Sequence, residues 1–184
     1  MEITLSDSAQ RWREVARKFA HEELVPFEVE AELNNGVIAP DRRARQQRLA
    51  LELGFGRMDV PAAYGGLALG MTEQVAVWEQ LGRVTNGLCW CFSEPQQWMF
   101  EACTPEHLQR YVLPLMRGER RDCYAITESE PGSQEVINTT ATRCPDGYRI
   151  NGEKWYVTSG NFADFMWLQA KLESGESALF FVDM

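Results

Sequence analysis

The first 120 residues place apolar and polar positions at helical spacing. Between Trp12 and Phe19 the apolar residues recur every three or four positions, with charged residues between them. This spacing predicts an amphipathic helix over residues 6–25, with Ser6 as its N-cap and Pro26 as its end. The same signals of spacing, capping residues and terminal glycines predict further helices over residues 40–54, 72–82 and 104–118.

Residues 85–103 are apolar and aromatic on nearly every side of a helical wheel, and they include Trp90 and Trp98. A segment without a polar face is expected to be buried, and Pro95 is expected to kink it.

Beyond residue 122 the spacing changes to a period near two, with β-branched and aromatic residues and glycine-containing turns. This pattern predicts strands. The expected ranges are 123–127, 136–144, 147–151, 154–158, 164–172 and 177–183. The fold class is therefore α+β: an all-α helical domain over residues 1–120, followed by an antiparallel β domain over residues 121–184. That β domain is expected to be an incomplete barrel or sandwich, whose last apolar strand needs more protein or a partner chain to cover its edge.

Composition narrows the functional classes. The net charge is −9 and no basic cluster dominates, since the short run Arg42–Arg45 is interpreted as a solvated helix face. Nucleic acid and anionic membranes are therefore not expected partners. No apolar run is long enough to span a membrane, and the N-terminus lacks the features of a signal peptide. Five cysteines do not suggest a disulfide framework, so a cytoplasmic location is expected, and Cys89 and Cys91 are too close together to predict a metal site.

Candidate chemistry is concentrated between Cys123 and Gly160. A polar turn after the first strand offers backbone N–H groups and hydroxyls that suit a phosphate. If residues 154–158 form a strand, Tyr156 and Thr158 share one face, where a ring and a hydroxyl suit a planar heteroaromatic cofactor. The residues therefore predict a flavin site.

The sequence resembles the acyl-CoA dehydrogenase family in several segments that occur in the family's order. The resemblance is carried by the motifs LGF at 53–55, DVP at 59–61, YGGL at 64–67, EQLGR at 79–83, EHLQRYVLPL at 106–115, YAITESEPGS at 124–133 and NGEKWYVTSG at 151–160.

The resemblance implies that FAD is the cofactor and that an acyl-CoA or related acyl thioester is the substrate. In the family, a glutamate of the C-terminal part removes the α proton while the β hydrogen passes to the flavin as hydride. The C-terminal four-helix domain of the family is absent from this sequence. The resemblance therefore implies no catalytic base here, and Glu128 and Glu130 are interpreted as solvated turn carboxylates.

The site residues follow from the same resemblance. Residues expected to contact the cofactor are Tyr124, Ala125, Ile126, Thr127, Gly132, Ser133, Tyr156, Val157 and Thr158. Within this set Thr127 is expected to bond the ring edge, Thr158 to donate toward flavin N5, and Ser133 also to touch the acyl-CoA. The sequence departs from the family pattern at Ser129, Pro131, Gln134 and Tyr156, where the family usually has proline, alanine, aspartate and tryptophan.

The resemblance leaves three functions open. The first is α,β-dehydrogenation of an acyl-CoA by an enzyme of which this chain is all or part. The second is a non-catalytic subunit of a hetero-oligomeric flavoenzyme. The third is an oxidase or hydroxylase of the same fold that uses O2. A homo- or hetero-oligomer, dimer or tetramer, is expected, and electron-transfer flavoprotein is a possible electron acceptor.

Overall fold

The structure, a computed structural model, describes residues 4–129 and 137–184. The chain divides into two units, the first ending at Gly118 and the second beginning at Glu119. The predicted contact residues Gly132 and Ser133, together with Glu130, Pro131 and Gln134, lie outside the described residues.

The helical unit contains the predicted helices. Ser6 caps the first helix, since its side-chain oxygen accepts a hydrogen bond of 3.1 Å from the Ala9 N–H. Thr104 caps the last helical segment in the same way, accepting from the His107 N–H at 3.2 Å. The α-helices are α1 (Asp7–Phe19), α2 (Glu28–Leu33), α3 (Pro40–Glu52), α4 (Met71–Leu81), α5 (Gln97–Ala102), α6 (Pro105–His107) and α7 (Leu113–Met116).

This unit contains two π-helical turns, and each comes shortly before a proline. The first covers Ala20–Leu24 ahead of Pro26, and the second covers Leu108–Val112 ahead of Pro114. Proline has no N–H and its ring collides with the carbonyl four residues earlier, so a helix that continues through it must loosen locally. The side chain of Gln46 donates to the Glu23 carbonyl at 2.7 Å, inside the first of these turns.

Aromatic and aliphatic side chains form one core in the helical unit. Phe55 is fully buried at its centre, 5.4 Å from the ring of Phe19 and 5.9 Å from that of Phe92, measured between centroids. Its other fully buried members are Ala16, Leu24, Ala31, Ala50, Met58, Val77, Leu81 and Leu88. The predicted amphipathic faces therefore meet as expected.

The expectation that residues 85–103 are wholly buried is wrong for two of their rings. Trp90 is 62% exposed and Trp98 is 44% exposed. Only Gln97–Ala102 of this segment is helical, and Asn86 and Gly87 both have positive φ. Because the chain turns instead of continuing as a helix, an apolar composition does not bury every side of it.

The β unit forms a mixed sheet that is not closed into a barrel within the described residues. Its strands are β1 (Asp122–Ala125), β2 (Thr140–Cys144), β3 (Gly147–Asn151), β4 (Phe165–Leu172) and β5 (Ser177–Asp183). The α+β organisation is thus confirmed.

The pairing of the strands departs from the purely antiparallel arrangement. β2–β3 and β4–β5 are antiparallel, but β1 and β2 each run parallel to β4. The turn residues in the sequence specify only the two hairpins. The parallel pairs join strands that lie far apart along the chain, which local signals do not encode.

The predicted strand over residues 154–158 does not form. Tyr156 has φ 52° and Ser159 has φ 66°, both in the left-handed region. An extended strand cannot pass through such a residue. Tyr156 and Thr158 therefore do not share a strand face as predicted, and their exposure to solvent has another cause.

Candidate functional site

Two motifs carry the predicted cofactor contacts: the first motif, YAITESEPGS at 124–133, and the second motif, NGEKWYVTSG at 151–160. The described part of the first motif lies beside the second in the β unit. The Trp155 N–H donates to the Thr127 carbonyl at 2.8 Å. The Lys154 ammonium donates to the Ile126 carbonyl at 2.9 Å. Two of the predicted cofactor contacts, Ile126 and Thr127, are thereby attached to the segment that leads directly into Tyr156.

A buried ion pair lies behind this junction. Lys154 Nζ is 2.9 Å from Glu128 Oε1, and the two side chains are only 7% and 8% exposed. The carboxylate also accepts from the backbone N–H of Asn138 at 2.7 Å and from that of Thr139 at 2.8 Å. Three separate stretches of backbone, around residues 126–128, 138–139 and 154–155, therefore converge on one pair of charges.

These donors decide the charge state of Glu128. Burial is the largest single influence on its pKa and acts to raise it. The hydrogen bond from Lys154 and the backbone donors of Thr139 and Asn138 act the other way and together lower the pKa to about 2. A carboxylate with this pKa and with both oxygens occupied is a poor acceptor for a substrate proton.

The interpretation of Glu128 as a solvated turn carboxylate is wrong, and the role of Lys154 was not predicted. Glu128 is buried because Lys154 and two backbone N–H groups replace its hydration. One signal was available in the sequence. A glutamate and a lysine stand inside the two motifs that were themselves expected to meet at one cofactor.

The second segment presents its polar and aromatic groups to solvent. Tyr156 is 85% exposed, and Thr158 is also exposed. The ring of Trp155 lies 5.8 Å from that of Tyr156 at an interplanar angle of 79°, and its indole N–H donates to the Glu153 carboxylate. Val157 is half-buried and its carbonyl accepts from the Gly160 N–H at 3.0 Å. A tight turn thus follows the displayed ring and hydroxyl.

Residues of the first motif differ in the groups that they can offer to a ligand. Tyr124 is half-exposed, and its hydroxyl is 3.3 Å from the Gln169 side-chain oxygen. Ala125 is buried, since neighbouring residues of a strand point to opposite faces. Ala125 can therefore offer a ligand only its backbone, whereas Thr127 is exposed and can offer its hydroxyl.

Gly152 is required where the second segment begins. Its φ is +156°, and a Cβ added there would lie 2.6 Å from Thr139 Cα. Real Cβ atoms do not approach backbone so closely. The glycine lets this turn pack against the residue whose N–H binds Glu128.

A second group of polar residues lies in the helical unit. The Asp59 N–H donates to Glu94 Oε1 at 3.2 Å, and the Asp59 carboxylate accepts from the Gln97 N–H at 2.9 Å and from the Gln74 side chain at 3.2 Å. The pKa of Glu94 is raised to about 7, chiefly by burial. The charge of Asp59 contributes to this rise, and the hydrogen bond from the Asp59 N–H opposes it. No cation in the structure is paired with Glu94 among the described residues.

Other sites are not evident in the part of the chain that the structure describes. There, no three His, Cys, Asp or Glu side chains are grouped so that they could hold a metal ion. In that same part, no helix combines the length and the apolar character needed to cross a membrane.

Comparison with known proteins decides the family. The model of the acyl-CoA dehydrogenase N-terminal domain matches residues 6–119, and that of the acyl-CoA dehydrogenase middle domain matches residues 123–184. The chain belongs to the acyl-CoA dehydrogenase family. The resemblance found in the sequence motifs is thereby confirmed.

Individual relatives support this membership. The chain is 30% identical over 176 residues to benzylmalonyl-CoA dehydrogenase of Aromatoleum aromaticum, covering 93% of this chain and 45% of that protein. The chain thus spans less than half the length of this curated relative.

Solved structures of the acyl-CoA dehydrogenase family share the fold. An acyl-CoA dehydrogenase from Geobacillus kaustophilus matches with a TM-score of 0.79 and 26% identity, and the match covers all of this chain and 50% of the Geobacillus chain. An acyl-CoA dehydrogenase complexed with FAD from Bacillus anthracis matches with a TM-score of 0.75 and 26% identity, and the match covers all of this chain and 33% of the Bacillus chain.

Proposed function

We propose that the chain binds FAD and is the N-terminal and middle part of a flavin-dependent oxidoreductase that dehydrogenates an acyl-CoA thioester. The single observation that carries this proposal is the segment at Tyr156–Thr158. Tyr156 is 85% exposed on left-handed backbone, and the hydroxyl of Thr158, two residues later, is also exposed. The Trp155 N–H ties this segment to Thr127. Such groups suit a flat heteroaromatic ligand with polar edges.

The charges beside these groups also fit FAD. The carboxylate of Glu128, which binds the lysine two residues before Tyr156, is neutralised by Lys154 and by two backbone N–H groups. It therefore adds little repulsion toward the phosphates of the cofactor. When it is bound, flavin would serve as the hydride acceptor.

The roles of the protein groups can then be assigned. Tyr156 offers the stacking face, Thr158 and Thr127 offer hydroxyls to the polar edges of the ring, and Ile126 supplies backbone next to it. We assign the pyrophosphate contact to Gly132 and Ser133, and the acyl-thioester contact to Ser133. Both are assigned by family resemblance, because these residues lie outside the described part of the chain.

The remaining assignments are also made at the level of the family. No residue of this sequence is assigned as the base, so proton removal is assigned to a group outside it. An oligomer is proposed, with electron-transfer flavoprotein as the acceptor of the electrons. Release of hydrogen peroxide on addition of an acyl-CoA would instead support an O2-using oxidase.

The test is FAD titration of the protein, purified in the assembly that it forms in its own cells and then stripped of flavin. Tyr156→Ala is expected to weaken FAD binding about tenfold, through loss of the stacked ring. Tyr148→Ala removes another half-exposed tyrosine of the same unit and is expected to leave the affinity unchanged. An assembly that takes up no FAD would overturn the proposal.

A further inference from the structure

At the Glu128–Lys154 pair, three separate backbone stretches meet on two buried charges. Lys154 reaches Ile126 and Glu128 of the first motif. Glu128 in turn holds the backbone at Asn138 and Thr139, directly before β2. The pair therefore fixes the second motif segment against both of its neighbours, two residues before Tyr156.

Strained backbone follows these contacts immediately. Tyr156 is two residues beyond Lys154 and one beyond the Trp155 N–H that bonds Thr127, and it has φ 52°. A bulky residue keeps left-handed backbone only where its surroundings impose it. Tyr156 is 85% exposed, so burial of its side chain does not impose the conformation. The contacts that anchor the chain just before Tyr156 are those of Lys154 and Trp155, and the bond from the Gly160 N–H to the Val157 carbonyl lies just after it.

We infer that the Glu128–Lys154 pair is a positioning device that holds residues 155–158 in the turn from which Tyr156 and Thr158 face the flavin. Both members of the pair are positioning residues, since they act through Trp155 and Tyr156 and their own charges are buried. The flavin half of this inference rests on the proposed function. The ordering of the segment does not.

A pair of charges suits this task better than apolar packing does. Replacing a buried ion pair by apolar groups of similar size often leaves stability unchanged, so stability alone does not explain its presence. Directional bonds from Lys154 to the Ile126 carbonyl and to the Glu128 carboxylate fix one register between the two segments. Apolar side chains at these positions would allow several.

The test uses the double variant Glu128→Gln/Lys154→Met, because either single change leaves one buried charge or one set of donors without its partner. In the flavin-free protein, hydrogen exchange at the Trp155 amide is expected to become about tenfold faster. Exchange at the Trp167 amide, within β4, and the midpoint of unfolding are expected to stay near the wild-type values. In the reconstituted protein, the FAD dissociation constant is expected to rise about tenfold and the flavin absorption band to shift.

Two controls define the comparison. Glu23→Gln/Arg45→Met makes the corresponding change at one of the ion pairs of the helical unit, which joins Arg45 to Glu23 at 2.8 Å. It is expected to alter neither the exchange rate at Trp155 nor the FAD dissociation constant. Lys154→Arg keeps a cation next to Glu128 and is expected to restore most of the slow exchange at Trp155.

Three results would overturn the inference. The first is Trp155 exchange at the wild-type rate in the double variant. The second is faster exchange at Trp155 and Trp167 alike, which indicates general destabilisation. The third is faster exchange at Trp155 with unchanged FAD affinity. If the wild-type assembly binds no FAD, the proposed function fails, while the exchange rates still decide whether the pair orders the segment.

Discussion

Two buried carboxylates, one in each unit, show how neighbouring donors decide what a buried acid does. Burial opposes ionisation at both Glu128 and Glu94. Glu128 receives a lysine and two backbone N–H groups, and its pKa falls to about 2. Glu94 receives the Asp59 N–H but lies near the Asp59 carboxylate, and its pKa rises to about 7.

The two sites therefore affect stability in opposite ways. Glu128 contributes stability above its ordinary pKa of 4.5, and that contribution is lost as the pH falls through about 2. Glu94 contributes most when it is protonated, and its contribution is lost as the pH rises through about 7. Degree of burial alone would have predicted the same behaviour at both.

Lys154→Met is expected to have the largest effect on stability, because it removes the cation that makes Glu128 differ from Glu94. It leaves Glu128 buried without its cation, and removing one partner of a buried pair costs about 3–5 kcal/mol. The free energy of unfolding, measured by urea denaturation at pH 7, is expected to fall by this amount. Arg45→Met, at a pair whose arginine is largely exposed, should cause a much smaller fall. Equal losses of unfolding free energy in the two variants would contradict the claim that burial makes the loss of Lys154 more costly than the loss of Arg45.

Glu94→Gln tests the second carboxylate, because it removes the group whose raised pKa makes stability depend on pH. In the wild type, the folded protein holds the Glu94 proton up to about pH 7 while the unfolded chain releases it near 4.5. The wild type therefore loses stability between these pH values relative to the variant, by up to about 3 kcal/mol. Unfolding curves at pH 4.5, 6 and 8 measure this difference. A difference that does not change with pH would show that Glu94 is not perturbed.

Tyr156→Asn should have the smallest effect on stability, and in the opposite direction. Asparagine tolerates left-handed backbone, so the variant is expected to gain about 1 kcal/mol in unfolding free energy. The same change removes the exposed ring and should weaken FAD binding. Thermal unfolding combined with FAD titration tests both expectations. A loss of stability would contradict the strain inferred at this residue.

The sequence predicted those features that depend on neighbouring residues. Ser6 and Thr104 cap helices, Gly54 and Gly118 follow helix ends with positive φ, and the 147–151 strand forms over the residues expected. Each of these features is specified within a few positions of the chain. Local chemistry alone was sufficient to predict them.

The features that escaped prediction depend on contacts between distant residues. Residues 154–158 have the composition of a strand, but Lys154 and Trp155 bind the segment that contains Ile126 and Thr127, and Tyr156 then turns into left-handed backbone. Glu128 looked like a solvated acid because its donors come from residues 138, 139 and 154. The family resemblance predicted where the candidate site lies, whereas the tertiary contacts explain the shape of its two segments.

The most direct test of the account is hydrogen exchange with mass spectrometry on the assembled protein, with and without FAD. We expect FAD to slow exchange in peptides that contain residues 124–127 and 155–158, and to leave β3, residues 147–151, unchanged. Protection confined to other parts of the chain, or no change in either motif segment at saturating FAD, would contradict the claim that these two segments hold the flavin.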